Sequence, residues 1–238
     1  MSTSDPDQGA KTPKRGIHSQ ADVDRRFEEM LGKEGDDSPN ARKRRRILRA
    51  AYELFRAHGY RKTSIDDVAR RAEVAKGTVY LYFPNKGQLL VHAIALEKAS
   101  MRAQIARFFD GSIAKEDRLH FWILLALKAP HDLPLVSKLM SGDAELEAAL
   151  EDAGDTEAVT RTEEGVDFVM GLIEDAAPGR LDDAEKRRRA EAIITLGLAS
   201  HKLVRQVLPN RSIDELATAI ADMLVHGVGG MPAAKKKT

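Results

Sequence analysis

Residues 63–86, TSIDDVARRAEVAKGTVYLYFPNK, read as two short helices joined by a tight turn. Thr63 or Ser64 can cap the first helix, because a hydroxyl there accepts a free N–H of the first turn, and Asp66 and Asp67 follow three residues on. Ile65, Val68, Ala69 and Ala72 give an apolar stripe at helical spacing. Glu73-Val74-Ala75 is the turn. Lys76 to Phe83 is the second helix, with Val79 and Phe83 facing inward. Pro84 ends it, since proline disfavours the helical region for the residue before it, and Asn85 caps a longer helix. Two helices joined in this way present the second to the DNA major groove.

Working outward, Ile47, Leu48, Ala51, Leu54 and Phe55 form one face of a preceding helix, and Gly59 stops it. Over residues 41–92 the chain resembles the N-terminal DNA-binding domain of the TetR family, the tetracycline-repressor-like regulators. Gly77-Thr78-Val79-Tyr80-Leu81-Tyr82-Phe83, followed by Pro84-Asn85-Lys86, carries that resemblance. No strand-like alternation competes anywhere, so the expected fold is all-α. The resemblance implies an N-terminal three-helix helix-turn-helix domain and a C-terminal helical bundle for regulation and dimerisation.

Charge is distributed unevenly. The net charge is only +1, yet residues 41–89 carry 13 Lys and Arg against 4 Asp and Glu. Residues 90–230 carry 16 against 24, and residues 1–40 carry 6 against 9. A phosphate backbone is attracted to the helix-turn-helix segment and repelled by the remainder. The chain has no cysteine, which excludes disulfides and Cys-ligated zinc. No apolar run is long enough to span a membrane, and no apolar leader marks a signal peptide, so the expected location is cytoplasmic.

The expected organisation is a disordered leader at 1–40, a helix-turn-helix domain at 41–87, a helical ligand-binding and dimerisation domain at 88–230, and a basic tail at 231–238. Within the leader, Ala21 to Leu31 has the pattern of a short helix. A long helix is expected from Gln88 to about Phe109, then helices at Arg118–Lys128, Leu135–Met140, Asp143–Glu151, Thr156–Asp175, Asp182–Leu208 and Ser212–His226, with Pro130 and Pro134 interrupting. Ser212 with Glu215 three residues on makes a capping box.

For DNA chemistry, the resemblance places Lys76, Thr78 and Leu81 at base-facing positions. Lys76 suits guanine O6 and N7, and the Thr78 methyl and Leu81 suit a thymine methyl. Leu81 has a second reading, core packing. Phosphate contacts fall to Thr63, Ser64, Tyr80, Tyr82 and Lys86, with Tyr82 expected more exposed than Tyr80. Gly77 lets the backbone approach DNA closely because it has no Cβ. Arg45 and Arg46 belong to a basic cluster, 42–46, at a helix start. Cations are unfavourable toward the macrodipole there, which points to a use on phosphate.

In the C-terminal half, Phe108, Phe121, Trp122, Phe168 and Met170 read as core or as cavity lining. His92, His120, His131 and His201 do not form a metal-ligand spacing, and neither metal nor cofactor is expected. Ile193, Ile194, Leu196, Gly197, Ala199, Ser200, Leu203 and Val207, with Leu216, Ala219, Ile220, Met223 and Leu224, suit a four-helix homodimer contact, or else intramolecular burial. A twofold dimer presents two recognition helices to a palindromic operator. No H-E-x-x-H, P-loop, G-x-S-x-G or cysteine nucleophile argues for an enzyme. The expected function is a DNA-binding repressor released by a small-molecule effector. A ligand-independent nucleoid-type protein is the competing class.

Overall fold

The computed structural model describes residues 19–154, 162–207 and 212–229. Every regular element among them is helical. Side chains fix many of the helix starts: Ser19 caps α1 (Gln20–Leu31), Ser38 caps α2 (Pro39–His58), Ser64 caps α3 (Ile65–Arg71) and Asn85 caps α5 (Lys86–Ala99). At α3 both halves of the capping box form, with Ser64 accepting from the Asp67 N–H and Asp67 accepting from the Ser64 N–H. Between α3 and α4 (Lys76–Tyr82), Glu73 takes the left-handed region at φ 52° and turns the chain.

Two hydrophobic cores result. The first is built from α2 to α5 around Ile47, Phe55, Val68, Val79, Phe83 and Leu90, and it extends into α8 (Pro134–Met140) and α9 (Ala144–Asp152) through Leu135, Leu146 and Leu150. The second joins α7 (Arg118–Asp132), α10 (Thr162–Ala176), α11 (Asp183–Val207) and α12 (Ile213–Gly229) around Leu119, Ile123, Val169, Ile173, Ile193 and Ala221. The core therefore does not divide at the expected boundary of 87/88. Helices α8 and α9 return from the distal half to close the helix-turn-helix unit. The approach is close: a Cβ at Gly87 would lie 2.6 Å from the Ala149 carbonyl oxygen. Gln88 adds a hydrogen bond from Nε2 to the Ala153 carbonyl at 2.6 Å, and the Arg61 N–H donates to the Glu145 carboxylate.

Two expectations for the linking region are corrected. The long helix from Gln88 to Phe109 is two helices, α5 and α6 (Arg102–Ala106), with a break at Ser100 and Met101. The Ser100 hydroxyl donates to the Glu97 carbonyl at 2.7 Å, and the Ser100 and Met101 N–H groups bond three residues back, which tightens and ends the turn. In the other direction, α7 runs on through position 130 to Asp132 instead of stopping at Lys128.

Glu97 is a buried carboxylate that ties these parts together. It accepts the N–H groups of Leu135 and Val136 at 3.1 and 2.9 Å, which are free donors at the start of α8. Burial raises its affinity for a proton above the usual glutamate range, opposed by those two N–H groups, by Tyr52 and by the charge of Arg56.

The leader is corrected as well. Gln20 to Leu31 is a helix docked on α5, with Val23 buried and Met30 and Leu31 packed on the first core. Residues 1–18 and the tail from 230 onward lie outside the described residues, as do 155–161, where the helix expected from Thr156 was placed to begin.

Candidate DNA interface

Helix α4 is short and carries one buried side chain, Val79, which faces the core beneath it. The remaining positions are set by rotation of about 100° per residue from that anchor. Leu81 points fully outward at 84% exposure, so the core-packing reading of it fails. Tyr80 is 45% exposed, while Tyr82 is half-buried and its hydroxyl donates to Asn40 Oδ1 at 3.3 Å. The expected ranking of the two tyrosines is thus reversed, because Tyr82 falls on the side of α4 that leans on the start of α2. Thr78 is half-buried, and Gly77 is exposed with nothing within 4 Å of where a Cβ would stand.

Lys76 is exposed and bonded to Asp66 at 2.8 Å, across the turn from α3. The Asp66 carboxylate stabilises the ammonium and raises its pKa, so Lys76 is a cation at neutral pH. Asp66 was missed as a site residue. Its ten-residue separation from Lys76 is bridged only by the turn, so no local pattern in the sequence shows the pair.

The expected phosphate ligands fall into two groups. Ser64 is exposed, and its hydroxyl is engaged with Asp67 in the cap. Arg45 and Arg46 are exposed; Arg45 donates to the Asp36 carbonyl at 2.6 Å and pairs with Asp37 at 3.1 Å, and Arg46 reaches the Glu73 carbonyl at 3.5 Å. Thr63 and Lys86 are placed otherwise. Thr63 is 2% exposed, and its hydroxyl donates to the Gly59 carbonyl at 2.8 Å. Lys86 lies with its ammonium 4.0 Å from the Tyr60 ring centroid, and burial lowers its pKa. Both are therefore engaged in holding the domain together in this state. Thr63 serves the loop after α2, and Lys86 serves the start of α5.

The basic segment also keeps Arg42, Arg49, Arg61 and Lys62 exposed. An exposed leucine, tyrosine and lysine on one short helix in a strongly cationic segment have the chemistry a groove reader needs. They have apolar reach for thymine methyls, a donor for purine edges and charge for phosphate.

The sequence signature of the tetR family of bacterial regulatory proteins matches residues 47–93, which span α2 from its buried face through most of α5. Over that span the chain carries the tetR-family signature. The HTH-type transcriptional repressor KstR of Mycobacterium tuberculosis is 34% identical over 99 residues, covering 42% of this chain and 45% of KstR. The chain thus spans under half the length of that relative. A fatty acid metabolism regulator of Bacillus subtilis is 26% identical over 193 residues, covering 76% of this chain and 93% of the other. The solved structure of AibR with isovaleryl coenzyme A and operator DNA has the same fold, with a TM-score of 0.52 at 21% identity over 79% of this chain and 98% of its own length.

In the distal body the aromatic candidates pack on one another. Phe108 lies 5.1 Å from Phe121 and 5.6 Å from Phe168, ring centre to ring centre, within the second core. The expected dimer face is only partly free. Ile193 and Gly197 are buried within the chain, and Ile194, Ile220 and Leu224 lean on the second core. Leu196 at 48% and Met223 at 74% exposure are the large apolar side chains that point away from it. The side chains of Ala199, Ser200, Leu203 and Val207 lie outside the described residues. No helix among the described residues is long and apolar enough to cross a membrane.

Proposed function

We propose that this chain is a sequence-specific DNA-binding transcriptional regulator, a repressor that grips a palindromic operator as a homodimer and leaves it when a small-molecule effector occupies the distal helical body. One observation carries the reading. Helix α4 projects Leu81, Tyr80 and Lys76 from the most basic part of the chain, where exposed apolar side chains would otherwise be a liability. Relatives named as repressors, and a fold shared with a regulator solved on operator DNA with an acyl coenzyme A, support it. On this reading the protein acts in the cytoplasm and needs no catalytic step.

In the dimer, Leu196 and Met223 would meet their counterparts across a twofold axis, and the two α4 helices would enter major grooves about 34–36 Å apart. The test is selection of duplexes by the full-length protein from a random pool. The expected product is an inverted repeat whose half-site centres lie about one helical turn apart. Recovery of unrelated sequences with equal affinity would instead indicate a nonspecific nucleoid-type protein.

A further inference from the structure

The leader helix α1 has no part in the motif that identifies the DNA-binding domain, yet it holds on to that domain at chosen points. Arg44, in the first turns of α2, donates from Nη2 to the Met30 carbonyl at 2.7 Å. That carbonyl is one of the last of α1, where acceptors lack helical partners and the macrodipole is negative, so a guanidinium is well placed. The same guanidinium lies 5.1 Å from the ring centroid of Phe83. Phe83 is fully buried and is the residue at which α4 stops. Beside it, Asn40 accepts from Tyr82. The start of α2 therefore grips the last residue of the recognition helix and the cap that follows it, and α1 fixes the guanidinium that does half of the gripping. Burial lowers the pKa of Arg44, and the Met30 carbonyl supplies the buried guanidinium with a hydrogen-bond partner.

The other side of α1 is tied elsewhere. Arg26 pairs with Glu164 of α10 at 2.5 Å, with both side chains mostly shielded from water. Asp24 receives Arg102 at 2.7 Å, just beyond the break between α5 and α6. Arg102 lowers the Asp24 pKa, which keeps that carboxylate charged. One helix thus touches the distal body and the linking region, and through Arg44 of α2 it reaches the base of the recognition helix.

We propose that α1 is a positioning strut of the DNA-reading unit: through Met30 and Arg44 it sets the C-terminal end of α4, and through Arg26 and Glu164 it ties that end to the distal body. The basic cluster at the start of α2 then has a second use besides phosphate contact, which accounts for Arg44 being tolerated against the helix dipole. This inference rests on the reading of α4 as a recognition helix only for its effect on DNA; the mechanical claim stands apart from it.

The experiment is amide hydrogen exchange on the full-length protein, with duplex binding as a second arm. Arg44→Met keeps the bulk and removes the cation. It is expected to speed exchange at residues 79–83 by about tenfold, the scale of losing one partly desolvated cation–ring contact, while Arg44→Lys restores most of the protection. Arg26→Glu places two carboxylates together and is expected to speed exchange in both α1 and residues 79–83. The swapped pair Arg26→Glu with Glu164→Arg is expected to recover both. On a duplex selected by the wild-type protein, Arg44→Met and Arg26→Glu should bind about threefold to tenfold more weakly, and the swap should recover. Faster exchange in α1 with residues 79–83 unchanged would overturn the strut. A wild-type protein that selects no duplex would overturn the repressor reading alone, because the exchange arm needs no DNA.

Discussion

The ends of the molecule each expose large apolar side chains, and the difference lies in what surrounds them. On α4, Leu81 and Tyr80 stand in the segment where 13 cations face 4 anions. On α11 and α12, Leu196 and Met223 stand in the half where anions outnumber cations 24 to 16. Apolar exposure alone says only that a surface expects a partner. The field around it separates the two proposed partners: a polyanion suits α4, where charge steers phosphate, and a second apolar face suits α11 and α12, where a polyanion is repelled. The supports differ in kind as well. The DNA-reading unit is closed by helices borrowed from the distal half, with Gly87 against Ala149, whereas the distal body closes on its own core.

The most severe way to break that comparison is to put charge on the distal face. Leu196→Glu with Met223→Glu would bury unpaired carboxylates in the proposed dimer contact. Sedimentation should then show a monomer with helical content retained, and operator affinity should fall by about 10²–10⁴, the avidity of two linked sites. The same pair of changes leaving a dimer would place the contact elsewhere.

Next in size is the junction. Gly87→Ala puts a methyl group where the Ala149 carbonyl oxygen stands 2.6 Å away, and backbone cannot yield as a side chain does. Overpacking of this kind costs about 1–3 kcal/mol, to be read from denaturant midpoints. A neutral result would show α9 to be loosely held and the two halves less coupled than their shared core implies.

At the reading surface, Lys76→Ala should cost about 1–3 kcal/mol on the selected site and relax preference at one base pair. Asp66→Asn sharpens this point. It releases Lys76 from its 2.8 Å pair, so binding to all sequences should rise while discrimination narrows. Selection profiles for the two variants check both statements.

The smallest effect lies at the cap of α3. Ser64→Ala should lower stability by about 1 kcal/mol. Hydrogen bonds from Ser64 hold the Asp67 pKa below the usual range. A carboxyl depressed on folding contributes stability above its unfolded pKa and loses it as pH falls through the folded value. The gap between wild type and Ser64→Ala, followed by thermal unfolding against pH, should therefore close in acid.

Legibility in the sequence followed the range of the interaction. Helices α2 to α5 could be read because each carries its own signals: the Ser64 box, the Val79–Phe83 spacing, Pro84 and the Asn85 cap. Their side-chain roles were less visible. Thr63 is taken out of the surface by a bond to the Gly59 carbonyl, and Tyr82 by its lean toward Asn40. Both depend on how α2 sits against α3 and α4, which periodicity does not specify. Helix α1 is short and charged, and what docks it is Arg44 and Arg102, 14 and 78 residues from their partners. The return of α8 and α9 rests on small residues meeting at Gly87 and on the buried Glu97, and neither leaves a pattern.

The most direct measurement is a salt titration of binding between the wild-type protein and its selected duplex, followed by fluorescence anisotropy, with Leu81→Ala alongside. The account predicts a log–log slope near −0.9 for each phosphate neutralised. It also predicts that Leu81→Ala keeps that slope while losing affinity for the selected site more than for scrambled DNA, because the proposed role of Leu81 is contact with bases and it carries no charge. An affinity indifferent to salt, or a Leu81→Ala protein that binds selected and scrambled duplexes as the wild type does, would contradict it.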